Sequence, residues 1–207
     1  MVIDRVRKWL RRQRHERQCR RWELSGRVGS PPHLVKQKVV RQIADAHGSR
    51  VLVETGTCMG DMVEAMRGRF DHVYTIELSD SLYERASERF AACPNVTLVH
   101  GDSGVELARV ADRLPAGDTL FWLDGHWSGG PTARGETDTP VADELSVTLE
   151  RVVQGDVVLI DDARLFGSDP DYPTIESLRD RVSAEAPGAT LAIDRDVIVI
   201  QQPRAAA

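Results

Sequence analysis

Acidic residues follow five short apolar runs of this chain, and carboxylates repeated in that position can hold one ligand from several sides. They are Glu54, Glu77, Asp102, Asp124 and the adjacent pair Asp161 and Asp162. Short apolar runs separated by helical patterns are typical of buried parallel strands. The carboxyl ends of such strands meet at one edge of the sheet, where α/β proteins bind their ligands. The sequence therefore predicts a ligand site lined by carboxylates.

The segment Glu54-Thr55-Gly56-Thr57-Cys58-Met59-Gly60 forms a glycine-bearing turn between the first strand and its helix. Glycines in such a turn let a ligand approach the backbone closely. The dinucleotide fingerprint requires a glycine where Cys58 stands, and the Glu54 carboxylate would repel a pyrophosphate. The same carboxylate can bind an ammonium group. The turn therefore favours a cationic ligand, and a purely structural turn is the alternative.

Glu77 ends the second apolar run about 20 residues past the glycine turn, which is the spacing of an acid that binds two ribose hydroxyls. The alternative is a carboxylate that only stabilises a helix N-terminus. The third run is followed by Asp102 and Ser103, which could contact a base at the edge of the same pocket. Ser103 also opens a capping box with Glu106, so capping is its alternative role. Together these residues predict a nucleoside ligand.

Asp124, Asp161 and Asp162 follow two strands that we expect to be neighbours, and the sequence shows no basic residue beside them before Arg164. Uncompensated carboxylates repel one another, so a cation between them is expected. Mg²⁺ takes oxygen ligands of this kind and leaves positions open for a substrate. The alternative is that an aspartate caps the loop after its strand.

The elements that must position these residues alternate between strands and helices from His33 onward. Five apolar strands are expected, and two more, joined by Asp194-Arg195-Asp196, must form an antiparallel hairpin. Capping boxes at Ser81-Glu84 and Ser103-Glu106 predict two helix starts, and Thr139 followed by Pro140 predicts a third. We predict an α/β fold, Rossmann-like and doubly wound, whose mostly parallel seven-stranded sheet ends in this hairpin.

Charge divides the 207-residue chain into two parts. The net charge is −5, yet residues 1–21 carry nine basic and two acidic side chains, which leaves −12 on the remainder. We predict a basic N-terminal arm and linker over residues 1–32 and one domain over residues 33–207. An apolar stripe on the arm could contact an anionic membrane surface or an acidic partner, and a solvated helix is the alternative.

The number and placement of cysteines bear on the cellular compartment. The three cysteines are odd in number and show no CxxC spacing, and no run approaches the length of a membrane-spanning helix. These features argue against a disulfide-stapled secreted fold and against a zinc ribbon. A cytoplasmic location is expected.

The ordered set from Glu54 to Gly60, Glu77, and Gly101-Asp102-Ser103 resembles the cofactor half of class I S-adenosylmethionine-dependent methyltransferases. Asp124 with Asp161 and Asp162 resembles the metal triad of Mg²⁺-dependent O-methyltransferases of the catechol, macrocin and cephalosporin-hydroxylase-like types. The resemblance covers about residues 33–202. It implies an S-adenosylmethionine site and a metal site. In the first, the methionine part would be bound by Glu54, Gly56, Thr57 and Gly60, the ribose by Glu77, and the adenine by Asp102 and Ser103. In the second, Mg²⁺ would be bound by Asp124, Asp161 and Asp162.

One departure from the catechol-type pattern concerns the general base. Those enzymes place a lysine shortly after the first metal aspartate, whereas here His126 stands near Asp124 and no lysine does. An imidazole titrates near neutral pH, so His126 is the candidate base, with substrate binding as its alternative. Residues 125–139 form a long loop in which Trp127 could stack on an acceptor or plug the core. His33, Lys36 and Lys38 could also face the acceptor, or could lie on an exposed helix.

The sequence thus predicts a metal-dependent O-methyltransferase that acts on a hydroxyl of a small molecule or sugar. An NAD-linked oxidoreductase on the same architecture and a non-catalytic binding module are the alternatives. Nucleic acid is a disfavoured partner because the body of the chain is acidic. Assembly into a homo-oligomer is left open.

Overall fold

The computed structural model describes the backbone of residues 2–125 and 140–203 and the side chains of residues 13–125 and 140–203. Within these ranges the helices are α1 (Val2–Leu24), α2 (His33–His47), α3 (Asp61–Met66), α4 (Asp80–Phe90), α5 (Ser103–Ala111), α6 (Val141–Val153) and α7 (Ile175–Glu185), with a 3₁₀ turn at Ala163–Leu165. The strands are β1 (Val51–Thr55), β2 (His72–Glu77), β3 (Val96–His100), β4 (Thr119–Leu123), β5 (Val157–Ile160), β6 (Thr190–Asp194) and β7 (Val197–Gln201). No helix of the described residues is long and apolar enough to cross a membrane.

The strands form one seven-stranded sheet in the order β3-β2-β1-β4-β5-β7-β6. The first five strands are parallel, whereas β7 runs antiparallel to both β5 and β6. The predicted doubly wound α/β fold with a C-terminal antiparallel hairpin is therefore confirmed. The topology reverses between β1 and β4, because β2 and β3 lie on one side of β1 and the later strands on the other. Ligand sites form at such reversal points.

Alternate residues of the central strands pack on opposite faces of the sheet, as the two-residue period of a strand requires. Phe121 and Val158 point into a core closed by α5, α6 and α7. Trp122 and Leu159 point into a core closed by α2, α3 and α4. Because helices cover both faces of the sheet, a ligand can reach the sheet only at its edges.

Two of the predicted helix starts are wrong. Helix α4 begins at Asp80 after Ser79, two residues ahead of the expected cap at Ser81. Helix α5 is capped by Asp102, whose carboxylate Oδ1 accepts a hydrogen bond from the backbone N–H of Gly104 at 2.8 Å. The carboxylate is the stronger acceptor for this N–H, and the Ser103 side chain is left for other contacts. At α6 the cap is Pro140, and Thr139 lies outside the described residues.

The end of α1 packs on the body of the protein. Cys19 and Trp22 are buried in a small cluster with Val35 of α2. The Trp22 indole Nε1 donates a hydrogen bond to the carbonyl oxygen of Gly29 at 3.2 Å. The division at residue 32 stays a prediction.

Candidate active site

The turn after β1 brings the two halves of the sheet edge together. Gly56 and Gly60 have φ values of 79° and 71°, and Cys58 has 50°, a left-handed conformation that a side chain disfavours. A Cβ atom on Gly56 would overlap the backbone carbonyl oxygen of Asp124 at the end of β4. Glycine is therefore required at position 56. Strained conformations of this kind persist mainly around binding sites.

Glu54 is the next-to-last residue of β1 and lies inside the protein, with 2% of its surface exposed. Its Oε2 accepts a hydrogen bond from Thr75 Oγ1 at 2.6 Å, and the Thr75 and Thr57 hydroxyls are also 2.6 Å apart. The pKa of Glu54 is raised to about 8, mainly by burial and in smaller part by the charges of Asp124 and Glu77, while the hydrogen bond from Thr75 lowers it. Three acids thus lie close together. A cation beside them would lower this pKa and be attracted in return.

Glu77 is held at the end of β2 by two backbone amides. Its Oε2 accepts a hydrogen bond from the Cys58 N–H at 2.7 Å, and its Oε1 accepts one from the Ser79 N–H at 2.9 Å. These bonds fix the plane of the carboxylate and leave a lone pair on each oxygen. Both oxygens therefore remain able to accept hydrogen bonds from two adjacent hydroxyl groups.

Glu144 of α6 is a buried acid that the sequence did not single out as a site residue. It is 2% exposed, and its Oε1 has no hydrogen-bond partner among the described residues. Burial raises its pKa to about 7, and the nearby Ser103 and Thr55 hydroxyls offset this only in part. The sequence did hold one indication of its burial, because Glu144 stands between Val141 and Leu145 on the apolar face predicted for this helix. The side chain of Ser103 thus faces a buried acid.

A lysine from α2 reaches the carboxylates after β5. Lys36 Nζ donates hydrogen bonds to Asp161 Oδ2 and, at 3.0 Å, to Asp162 Oδ1. Arg164 Nη1 also contacts Asp162 Oδ1, at 2.7 Å, and pairs with Asp196. The expectation that no basic residue before Arg164 stands beside these acids is therefore wrong. The sequence named Lys36 only as a group that could face the acceptor, and its pairing with Asp161 was missed because the two lie 125 residues apart in the chain.

The protonation states follow from these contacts. Burial raises the pKa of Asp161, and the charge of Asp124 adds to this. Burial alone would raise the pKa of Asp162, but the hydrogen bond from Arg164 and the charge of Lys36 lower it. For Lys36 the attraction of the three aspartates outweighs burial and raises the pKa. The lysine is therefore an ammonium ion at neutral pH.

The predicted metal ligands do not form a metal site in the part of the chain that the structure describes. No group of three or more His, Cys, Asp or Glu side chains there has the arrangement of a cation site. The physical reason is the position of Lys36, whose ammonium group lies between the Asp161 and Asp162 oxygens that a metal would need.

One candidate base, His33, lies beside the rim, by which we mean the carboxyl ends of β4 and β5 with Asp124, Asp161 and Asp162. His33 stands one turn before Lys36 on α2, within range of the charge of Asp124. Burial of its ring by the surrounding protein lowers its pKa, although the residue has an exposed surface, so its imidazole is neutral at pH 7. His126 and Trp127 lie outside the described residues.

A cavity of about 370 Å³ lies beside the rim, on the outer side of Arg164. The end of the arm and the turn between β6 and β7 both contribute to its walls, which are formed by Trp22, Arg27, Gly29, Ala163, Arg164, Ile193, Arg195 and Asp196. The basic arm therefore ends close to the predicted acceptor site.

The strand order, with its antiparallel last pair, is that of the class I methyltransferase fold, and comparison with solved structures confirms this fold. A Staphylococcus aureus protein assigned as a caffeoyl-CoA O-methyltransferase has a TM-score of 0.57 at 16% identity, with 96% of this chain and 100% of that chain aligned. The Podospora anserina methyltransferase PaMTH1, bound to S-adenosylhomocysteine, gives 0.53 at 17% identity over 98% and 96% of the chains. The Streptomyces achromogenes O-methyltransferase TomG, solved with S-adenosylmethionine, gives 0.51 at 19% over 80% and 78%.

Similarity at the level of sequence is partial. No protein-family model matches the chain. Ribosomal RNA small subunit methyltransferase A from Dehalococcoides mccartyi strain CBDB1 is 32% identical over 85 residues, which is 39% of this chain. That alignment spans only 29% of the relative's own length.

Proposed function

We propose that this chain is an S-adenosylmethionine-dependent methyltransferase that acts on a hydroxyl oxygen of a small molecule or sugar. The observation that carries the proposal is the pair of Glu77 oxygens, fixed by two backbone amides and open to two further donors. A ribose offers two adjacent hydroxyls at this spacing. The glycine turn and the methyltransferase fold support this assignment of the carboxylate to a cofactor.

The residues fit the charge of this cofactor as well as its shape. S-adenosylmethionine would supply a methyl group on a positively charged sulfur, next to an ammonium group. Glu54, Glu77 and Asp124 lie close enough for their charges to raise the Glu54 pKa. A cation is therefore attracted to this position, whereas a pyrophosphate is repelled. Asp102 keeps its Oδ2 for an adenine amine, since the Gly104 N–H bonds to Oδ1.

The acceptor is expected on the other side of Asp124, near Lys36 and His33. Methylation of a hydroxyl forms a carbon–oxygen bond, breaks the carbon–sulfur bond and releases the hydroxyl proton. A neutral imidazole can take that proton. His33 is suited to this role by its lowered pKa, and His126 remains the base predicted from the sequence.

The predicted dependence on Mg²⁺ does not fit the geometry of the described residues. A divalent ion would have to displace Lys36 from Asp161 and Asp162, and its charge would then repel the lysine. The proposal therefore contains no step that uses a metal.

Nitrogen of a nucleic-acid base is a second acceptor to be tested, because the partial relative is named as a ribosomal RNA methyltransferase. The net charge of −12 outside the arm argues against it, since phosphate contacts need basic surfaces. Among the described residues, Lys36 and the arginines that line the cavity supply basic charge near the site.

Calorimetry with S-adenosylhomocysteine and NADH tests the cofactor. We expect binding of the first and none of the second, and the reverse result would favour the oxidoreductase alternative. A transfer assay with methyl-labelled cofactor over glycosides, phenols and ribosomal RNA then tests the acceptor. Label on RNA alone would replace the hydroxyl acceptor by a base. Cofactor binding without any transfer would favour a binding module.

A further inference from the structure

The contacts of Lys36 set it apart from a surface lysine. Its side chain is 12% exposed, and its ammonium bonds to two carboxylates that are 1% and 5% exposed. Lys38, two residues further along α2, is exposed and points away. Val35 and Val39 on the same helix are buried in the core. Packing of α2 therefore holds Lys36 across the sheet edge, against the acids after β5.

The protein itself supplies cations at this rim. Asp161 and Asp162 share Lys36, and Asp162 is also paired with Arg164. Asp124 contributes its charge to the same lysine. A divalent ion is attracted to carboxylates that lack compensation, and here that compensation is supplied by two side chains.

The ammonium group also has capacity left for a ligand. A lysine carries three N–H donors, and Asp161 and Asp162 take two of them. The third has no acceptor among the described residues, and the side chain as a whole is 12% exposed. An oxygen that enters the rim can therefore receive one charged hydrogen bond.

We propose that Lys36 is the resident cation of the acceptor site, in the place that a divalent metal takes in metal-dependent O-methyltransferases, and that it holds the acceptor oxygen. This inference rests on the proposed function. It also indicates the substrate class: one N–H bonds one oxygen, whereas a metal can chelate two. An isolated hydroxyl therefore suffices, and a pair of neighbouring hydroxyls is not required.

Binding of Mn²⁺ to the full chain, followed by electron paramagnetic resonance, tests the first part without any substrate. Wild type and the control Lys38→Met should leave the signal of free Mn²⁺ unchanged. Lys36→Met should bind Mn²⁺ with a Kd of about 10⁻⁴–10⁻³ M, as sparse carboxylate sites do. Adding Asp161→Asn to that variant should abolish the binding. Lys36→Gln, which keeps donors to the aspartates, serves if the Met variant fails to fold.

Two results would overturn the inference. One is that wild type binds Mn²⁺ with a Kd in the same range, and that Asp161→Asn abolishes this binding. The other is a folded Lys36 variant, still able to bind S-adenosylhomocysteine, that gains no Mn²⁺ site. Failure of wild type to bind S-adenosylhomocysteine would count against the proposed function only, and the Mn²⁺ titration would still decide which cation the rim holds.

The role in holding the acceptor is tested with the best hydroxyl compound of the glycoside and phenol panel. Wild-type transfer should be the same in excess EDTA and in Mg²⁺. Lys36→Met should lower kcat/KM about 10- to 150-fold, the loss of one charged hydrogen bond, with unchanged affinity for S-adenosylhomocysteine. Loss of wild-type transfer in EDTA, or full transfer by Lys36→Met, would contradict the assignment.

Discussion

The two halves of the sheet edge treat their carboxylates in opposite ways. After β1 and β2, Glu54 and Glu77 are satisfied by hydroxyl and amide donors that carry no charge. After β5, Asp161 and Asp162 are satisfied by Lys36 and Arg164. The acids after β1 and β2 thus have no cationic partner among the contacts named here, and a cationic ligand could supply one. The acids after β5 are paired with cationic side chains of the protein itself. The difference indicates a cationic cofactor on one side and a neutral acceptor on the other.

The largest effect is expected where the halves meet, at Gly56. Gly56→Ala would force a side chain into a left-handed backbone and against the Asp124 carbonyl. We expect the free energy of unfolding to fall by about 2–4 kcal/mol in urea denaturation. Gly68→Ala is the control, because a Cβ there meets nothing within 4 Å, and it should change stability by less than about 0.5 kcal/mol. Equal stability of both variants would contradict the close contact between Gly56 and the Asp124 carbonyl oxygen.

The next effect concerns the cofactor half. Glu77→Gln removes the charge that two donors of a ribose would meet, so the affinity for S-adenosylhomocysteine should fall about 10- to 150-fold in calorimetry. Glu84→Gln, at an exposed position of α4, should leave that affinity unchanged. Unchanged binding by the Glu77 variant would remove the ribose assignment.

Glu144 tests how burial affects an acid next to both halves. Its pKa is raised from 4.5 to about 7, so the native state keeps a proton that the unfolded state releases. The stability due to this group is therefore greatest below pH 4.5 and declines as the pH rises to about 7. Glu144→Gln should remove this group's share of the decline, while the share of Glu54 stays, and should raise the free energy of unfolding at pH 8 by about 1–3 kcal/mol.

The matched control is Glu150→Gln, at an exposed position of the same helix. It should leave the pH dependence of unfolding as in wild type. A Glu144→Gln profile that falls as steeply as that of wild type between pH 5 and pH 7 would show that Glu144 does not contribute to the decline.

The smallest effect is expected at the outer edge of the acceptor half. Arg164 bonds Asp162 and Asp196 but is 35% exposed, so solvent weakens the pairs. Arg164→Met should lower the free energy of unfolding by less than about 1 kcal/mol. Arg50→Met, whose pair with Asp71 is more than half exposed, should have a still smaller effect. A loss of more than about 1 kcal/mol for Arg164→Met would show that solvent does not weaken its pairs.

Much of the site could be predicted from the sequence because its acids end strands. The apolar runs indicated the strands, and parallel strands bring their carboxyl ends to one edge whatever the loops do. Glu54, Glu77 and Asp124 therefore lie together as expected. The helix caps were less predictable, since Asp102 and Ser103 both suit a cap and only backbone geometry separates them.

What the sequence by itself determined was the fold class and the row of carboxylates, because both follow from local periodicity and from the order of the elements. Tertiary structure alone decided how those carboxylates are compensated. Lys36 meets Asp161 across 125 residues, and Glu144 comes to lie beside Ser103 through the packing of α6 on α5. Such charges are paired by the docking of helices on the sheet, which no local pattern of residues records. The sequence thus located the acids, and the folded chain supplied the cation that one half of them requires.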